Sequence, residues 1–581
     1  MDVQMIEEAR QIIHTKVDSF LTFLIPFISS ILLILSLVSI SIYQYPEPDA
    51  FYYFKSLPLI YWIGFSLAIL NISLLLHKNN NRITHIFAII LFCMYLHGIP
   101  NLAYETPRYM DVYAHGSNLP FLIKTGHIRE SDSYAFEYPS LFILAAILFN
   151  VMDSISPYNF LTYPYNFFRF FPILTLLFIA ILIYILASRM IHKHNLAVIA
   201  SFAFLSTSWA SLGHFAPYTL SFILYIILLI VLIYKGIRWK KSWIILSLLL
   251  LVIINITNPT NAFMLLLTLL FIILISLLTN HLGIYKNILY TRLYLIVILY
   301  FIIFSSWTGS SENIALGNAK RYINDFIRTV EGVHKLQLTP SPNESYYLAN
   351  VMRIAETVVV SIISILMLFF LLKRNKLIND DVLMLSGLLS LMALITIMIF
   401  ASSALLARIP IYIMFGFAVL LPYSILNNVI LRKIKVIFVV VIAIGAYTIP
   451  ITFYAWDAFF YLNPSLLYSA KLLNEHFSHS AIIHTISSSR SAIRYYDSFD
   501  LENNFQYSRE LDQDKDISKI SIMLSKARLN ATNFVVLSEN DNNRIKMQTN
   551  NYEWYNNLKI MLDRDRFNRV SDVSTTIIFS S

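Results

Sequence analysis

Cysteine is almost absent, with Cys93 the only one in 581 residues. That excludes an intrachain disulfide and a cysteine-rich metal centre. Charge is scarce too: Asp, Glu, Lys and Arg make up 13% of the chain against 57% hydrophobic residues, and mean hydropathy is +0.64, outside the range of an ordinary soluble domain. The first 19 residues, MDVQMIEEARQIIHTKVDS, carry four acids and two basic residues and lack a small-residue cleavage pattern, so they are expected to form a retained cytoplasmic helix rather than a signal peptide. Heptads, a solenoid period, a Walker loop, a dinucleotide fingerprint, HExxH and GxSxG are also missing, which leaves soluble cofactor chemistry without a foothold.

Apolar runs are abundant. Crossing roughly 30 Å of hydrocarbon takes about 20 residues, and fourteen apolar segments, from residues 20–43 to residues 436–453, approach or reach that length. They are continuous rather than alternating, which excludes a barrel. The expected fold class is therefore an all-α polytopic membrane bundle. Basic residues concentrate in short loops such as YKGIRWKK at 234–241, which are expected to face the cytoplasm. For the same reason the sequence pI of about 9.2 reflects membrane orientation and contact with lipid headgroups, with no nucleic-acid partner. Three segments separate Arg82 from Arg189, and three full crossings would change the side, so one of them, within 139–171, is expected to be short or re-entrant. About 13 full crossings are expected, with the N-terminus cytoplasmic, in the plasma membrane.

Composition changes after residue 456. Residues 457–581 carry 14 Lys/Arg and 15 Asp/Glu, a net charge of −1 in a chain of +9. Short β-rich runs, AIIHTIS at 481–487, NFVVLS at 533–538 and STTIIF at 574–579, alternate with the helix-like SLLYSAKLLNEHF and ISKISIMLSKARL. A small C-terminal α/β extracytoplasmic domain is expected, following a transmembrane domain of residues 1–456. Two long loops, 101–138 and 308–356, are expected outside, as are the sequons at Asn343 and Asn530.

The first of these loops contains RYMDVYAHGSNLPFLIKTGHI at 108–128. Its VYAHGSNLPFLIKTGHI portion is weakly amphipathic and suits the membrane interface, with Tyr113, Phe121, Leu122 and Ile123 inward. Asp111 precedes that helix. One reading makes it an N-cap accepting backbone N–H bonds. The other makes it a general base acting on a hydroxyl or amide nucleophile. His115 lies four residues on and shares a helix face with Asp111.

The pattern R-x-x-D-x-Y-x-H at 108–115, then F-x-x-x-x-G-x-I at 121–128, then Y-x-F-E-Y-P-S at 134–140 leading into a span, resembles the first extracytoplasmic loop of the GT-C glycosyltransferase superfamily. The resemblance is to large archaeal members in particular. It implies an enzyme that transfers a sugar from a polyprenyl-phosphate-linked donor to a lipid, glycan or protein acceptor. It makes Asp111 the catalytic base or an acceptor-positioning acid, with His115 beside it as a catalytic candidate and Glu137 a candidate second acid whose alternative is a solvated loop residue. The paired acids of many members are absent, since Val112 follows Asp111, and no WWD-type motif occurs, which argues against the oligosaccharyltransferase branch. Such a donor requires cations at headgroup level to receive the departing phosphate. Arg408, at the expected mouth of a late span, fits because a guanidinium forks onto phosphate oxygens; its alternative is snorkelling to lipid phosphates. Arg353 and His214 are further phosphate candidates, and Asn258-Pro-Thr-Asn261 brings polar groups to the same side. A divalent cation such as Mg or Mn is compatible with the superfamily, but Asp111 and Glu137 alone supply too few oxygens for a dedicated site, so no metal ligands are assigned. Competing functions are a lipid-linked-glycan flippase or transporter and a non-catalytic membrane scaffold. The apolar centres of most segments and the lack of similarity between halves disfavour transport.

Overall fold

The computed structural model describes residues 3–40, 51–77, 81–109, 111–128, 133–155, 165–208, 212, 214–235, 241–281, 290–310, 344–372, 410–427, 431–432, 435–454, 461–462, 464–476, 482–485, 506–508, 533–538, 554–564, 568–573 and 576–580. The fold is a helical membrane bundle followed by a small mixed sheet.

Helix α1 (Val3–Ser39) is a single run of 37 residues. The expected cytoplasmic helix and first span are continuous, because no Gly or Pro interrupts the chain before Pro26. After α2 (Tyr52–Ser56), α3 (Leu59–His77) packs against α1. Ser29 Oγ donates to Gly64 O at 2.8 Å, and Tyr95 OH donates to Ser29 O at 2.6 Å, so polar groups in the apolar layer satisfy one another. Helix α4 (Arg82–Cys93) continues through a π-helical turn (Met94–Gly98) into α5 (Ile99–Ala103). Pro100 has no N–H to offer the Leu96 carbonyl one turn back. Tyr454 OH fills that vacancy, donating to Leu96 O at 2.6 Å.

The polar loop folds into α6 (Asp111–Gly116), α7 (Asn118–Thr125) and α8 (Ser133–Glu137). The expected single amphipathic helix breaks between Gly116 and Asn118, and it ends at Gly126, whose φ of 74° is the left-handed cap that favours glycine. Tyr113 and Leu122 are buried as expected, while Phe121 and Ile123 are half-buried. Helix α9 (Ser140–Ile155) has 16 residues, roughly 24 Å at 1.5 Å per residue and short of the bilayer core. Helix α10 (Tyr165–Ile191) starts earlier than expected, so the aromatic run NFFRFF is helical.

Helices α11 (His194–Thr207), α12 (Pro217–Lys235), α13 (Lys241–Asn255), α14 (Pro259–His281), α15 (Tyr290–Ser310), α16 (Glu344–Leu372), α17 (Pro410–Asn427) and α18 (Lys435–Thr452) complete the bundle. The expected loop 308–356 is shorter than read. Its last part, ESYYLANVMRIAE, is the start of α16, since it has no Gly or Pro and is rich in helix formers. Helices α11 and α17 are apolar on all sides and almost wholly buried, as befits the centre of a bundle. Among the described residues six helices are long and apolar enough to cross a membrane, and seven shorter apolar helices accompany them. The apolar segment expected at 382–400 lies outside the described residues.

Gly445 on α18 sets the distance to α11, because a Cβ there would stand 2.8 Å from the Ser206 carbonyl oxygen. Backbone cannot move aside as a flexible side chain can. Gly445→Ala is expected to destabilise the bundle by about 1–3 kcal/mol, read as a lower Tm in detergent.

The C-terminal residues form α19 (Pro464–His476), β1 (Ile482–Thr485), β2 (Gln506–Ser508), β3 (Asn533–Ser538), α20 (Trp554–Arg564), β4 (Asn568–Val573) and β5 (Thr576–Ser580). Sheet order is β2-β1-β3-β5-β4, with β1 parallel to β2 and β3, and β5 antiparallel to β3 and β4. Residues 534–538 of β3 are all buried, as in a central strand covered on both faces. One apolar cluster joins this sheet to the polar loop: Tyr113 and Leu119, Phe142 of α9, Leu466 of α19 and Val536 of β3 all belong to it. The helix-like run at 517–529 lies outside the described residues.

Candidate functional site

The site is built where α5, α6 and the end of α18 meet. Arg108, in the irregular link before α6, is only 3% exposed. Its guanidinium carbon sits 4.8 Å from the Tyr109 ring centre, 4.8 Å from that of Phe453 and 3.9 Å from that of Tyr454. One nitrogen donates to Phe453 O at 3.1 Å. A buried cation is held here by three aromatic faces and by a carbonyl at the negative end of α18.

Around it the π-turn places His97, whose Nδ1 lies 3.2 Å from Tyr454 OH and whose ring centre is 5.2 Å from that of Phe453. Arg353 donates from Nε to Thr452 O, the carbonyl next to the one Arg108 binds. Two arginines thus cap consecutive carbonyls at the end of α18. A third, Arg169, does the same for α5, donating from Nε to Asn101 O at 3.1 Å and from Nη2 to Leu102 O.

Asp111 opens α6 three residues after Arg108. It is the first helical residue rather than the residue before the helix, and it is exposed. Among the described residues its carboxylate makes no hydrogen bond or ion pair, so the backbone-capping bond expected of an N-cap is not made. It still favours the helix through the dipole. His115 turns to α9, with its ring centre 6.0 Å from that of Phe142. His214 is buried and its ring centre lies 5.1 Å from that of Tyr109, which places it against the residue that flanks both Arg108 and Asp111. Arg353 is on α16 within a candidate span, not in a loop. Arg408 lies outside the described residues.

Glu137 ends α8, apart from the Arg108 cluster. Its Oε2 is buried without a partner among the described residues, and desolvation holds its carboxyl above the ordinary value. A carboxyl raised on folding binds its proton more tightly in the folded state, so it opposes folding above its folded pKa, and the opposition vanishes below the ordinary one. Glu137→Gln is therefore expected to raise Tm by roughly 1 °C at neutral pH and to leave it unchanged near about pH 4, in thermal melts compared across pH.

Asn258 and Asn261 are structural. Asn258 Oδ1 accepts from Asn261 N at 3.1 Å, while Asn261 donates to Tyr218 O and Ser221 Oγ and accepts from Tyr412 OH. The roles of Arg108, His97 and Arg169 were not read from sequence, because their partners lie tens to hundreds of positions away. Glu356 was missed as well; it sits one turn after Arg353, with both carboxylate oxygens buried and without partners among the described residues. Its place at the edge of an expected loop concealed it. Among the described residues no three His, Cys, Asp or Glu side chains gather into a metal-binding group.

An apolar groove of about 490 Å³ opens between α7 and α9, bounded by Leu122, Ile128, Phe136, Ile143 and Ile147. That volume is in the range of small-molecule clefts.

The structure superposes on the oligosaccharyltransferase of Archaeoglobus fulgidus, solved with a tethered acceptor peptide containing an NVT sequon, at TM-score 0.50 and 12% identity, over 82% of this chain and 72% of that one. The chain has a GT-C-like fold. A second form of the same archaeal enzyme, solved with Zn and sulfate, matches at TM-score 0.50 and 12% identity, over 81% of this chain and 70% of that one. ArnT of Cupriavidus metallidurans, solved bound to undecaprenyl phosphate, is similar at TM-score 0.42 and 10% identity, over 86% of this chain and 97% of that one. No protein-family model and no curated protein matches the sequence. The GT-C-like assignment is therefore one of fold, and it is the chain's own apolar helices that make it a multi-pass membrane protein.

Proposed function

We propose that the chain is a membrane glycosyltransferase that moves a sugar from a polyprenyl-phosphate-linked donor to a lipid, glycan or protein acceptor. The observation that carries this is Asp111: an exposed carboxylate without a partner among the described residues, three positions from a caged arginine, on a GT-C-like fold. In this reading Asp111 takes the proton of the acceptor's nucleophile as the nucleophile attacks the anomeric carbon, and the donor's phosphate departs. Arg408 receives that phosphate, assisted by Arg353 and His214, while His115 and Glu137 flank the acceptor side. The groove between α7 and α9 supports the reading, since a lipid-linked substrate needs an apolar surface for its chain.

The same proposal orients the chain. Basic short loops lie in the cytoplasm with the N-terminus, and the Asp111 end and residues 457–581 lie outside, in the plasma membrane. The test is to give the purified, reconstituted protein a mixture of polyprenyl-phosphate sugars extracted from membranes and to follow release of polyprenyl phosphate. Release that depends on Asp111 supports an enzyme, and no release from any donor refutes it.

A further inference from the structure

At the other end of the bundle, roughly 33 Å along the 22-residue run Arg82–Ala103, a second polar cluster stands outside the chemistry above. Helices α4 and α11 both begin there, and α10, which packs on both, ends there. The left-handed His192, at φ 52°, turns the chain from α10 into α11. Residue Lys193 precedes α11 and makes no side-chain cap, so the first N–H groups of that helix receive no side-chain acceptor from it. Arg82 and Arg189 are both exposed, and both lie close enough to His194 to act on it electrostatically. Tyr184 OH is 3.2 Å from His194 Nδ1, and the Tyr184 ring centre lies 6.0 Å from that of His85.

Basic loops facing one side of a membrane are ordinary, and they account for Arg82, Arg189 and Lys193 taken singly. They do not account for His85. Its side chain is 0% exposed, and neither ring nitrogen has a hydrogen-bond partner among the described residues. A neutral imidazole has one donor and one acceptor, and leaving both bare in a bundle core is unfavourable. The chain segments that carry these groups supply no carboxylate of their own, since no Asp or Glu occurs in residues 77–104 or between Asp153 and Glu312. Helix N–H groups without a side-chain cap, two guanidiniums, a histidine and a buried imidazole, on segments that carry no carboxylate, are the makings of an anion site.

We propose that this end of the bundle binds a phosphate group through Arg82, Arg189, His194 and the first N–H groups of α11, with His85 beneath them. With Tyr184 donating to His194 Nδ1, the imidazole proton sits on Nε2, directed away from Tyr184 toward the ligand. His85, against the Tyr184 ring, completes the polar floor. The phosphate has two possible sources, an anionic lipid headgroup in the adjoining leaflet or free inorganic phosphate.

The test uses the full chain. Wild type, Arg82→Gln/Arg189→Gln and His85→Phe are melted in neutral detergent with and without inorganic phosphate. They are also reconstituted in phosphatidylcholine nanodiscs containing phosphatidic acid and examined for retained lipid by native mass spectrometry. Wild type is expected to be stabilised by phosphate, to retain phosphatidic acid, or both, with affinity falling about 10-fold or more in the double variant and measurably in His85→Phe. Retention of lipid without a response to free phosphate identifies the headgroup as the source, and the reverse identifies the free ion. Binding in neither arm by wild type, or equal binding by the double variant or by His85→Phe, overturns the site. The double substitution lies on exposed residues, so its melting point without phosphate also shows that loss of binding is not loss of fold.

Discussion

Asp111→Asn is expected to lower sugar transfer by about 10²–10⁴-fold while leaving the melting temperature and the binding of a polyprenyl-phosphate analogue close to wild type. The amide keeps the shape of the carboxylate and loses its basicity. Because the carboxylate makes no hydrogen bond or ion pair among the described residues, its removal breaks no contact there, and the small helix-dipole contribution of an exposed first-turn acid is all that stability should lose. The two readings of this residue therefore predict opposite results. A general base loses turnover and keeps the fold, whereas a cap, which asparagine replaces nearly as well as aspartate, keeps both. Transfer and thermal unfolding measured on the same preparation decide between them, and unchanged transfer would remove Asp111 from the chemistry.

Arg108→Gln is expected to be costly in both measurements, lowering stability by about 2–4 kcal/mol together with transfer. The guanidinium is buried among three rings and bonded to Phe453 O, so its loss leaves a cavity between aromatic faces and an uncapped carbonyl at the end of α18. Arg108 acts on Asp111 by position, since it ties the residues just before α6 to the last helix of the bundle. Arg108→Lys should not restore either property, because an ammonium cannot lie flat between rings and bond the carbonyl at once. The discriminating measurement is donor-analogue binding in a variant that remains folded. Arg108→Lys should bind the donor analogue nearly normally yet transfer slowly. A variant that melts like wild type would show that the cage does not hold the loop.

Much of the helical architecture was legible because its cause is local. A residue stretch of sufficient hydropathy forms a helix in a bilayer whatever its neighbours, since only intrahelical bonds satisfy its backbone there. β1 and β3 fall within the β-rich runs marked out by sequence, and β5 overlaps the third. Errors fell where local signals were weak. The start of α16 is hidden because ESYYLANVMRIAE is polar enough to pass for solvent-exposed chain, which makes the loop 308–356 look longer by sequence than it is. Sequence puts Arg353 in or beside the long loop as a phosphate candidate, whereas it lies on α16. The carbonyl it donates to, on Thr452, belongs to a helix 99 residues away.

Composition and periodicity, by themselves, determined that this protein is a polytopic helical membrane chain, and a loose motif pointed to one aspartate in its first polar loop. Tertiary structure alone decided what surrounds that aspartate. Arg108 became a caged cation, Arg353 and Arg169 became helix caps, and Asn261 became a tie between helices, because a polar side chain in an apolar bundle must bond whatever carbonyl or ring the packing brings within reach. Hydropathy depends on a residue and its near neighbours. Hydrogen-bond satisfaction depends on partners hundreds of positions away, and only folding brings those partners together.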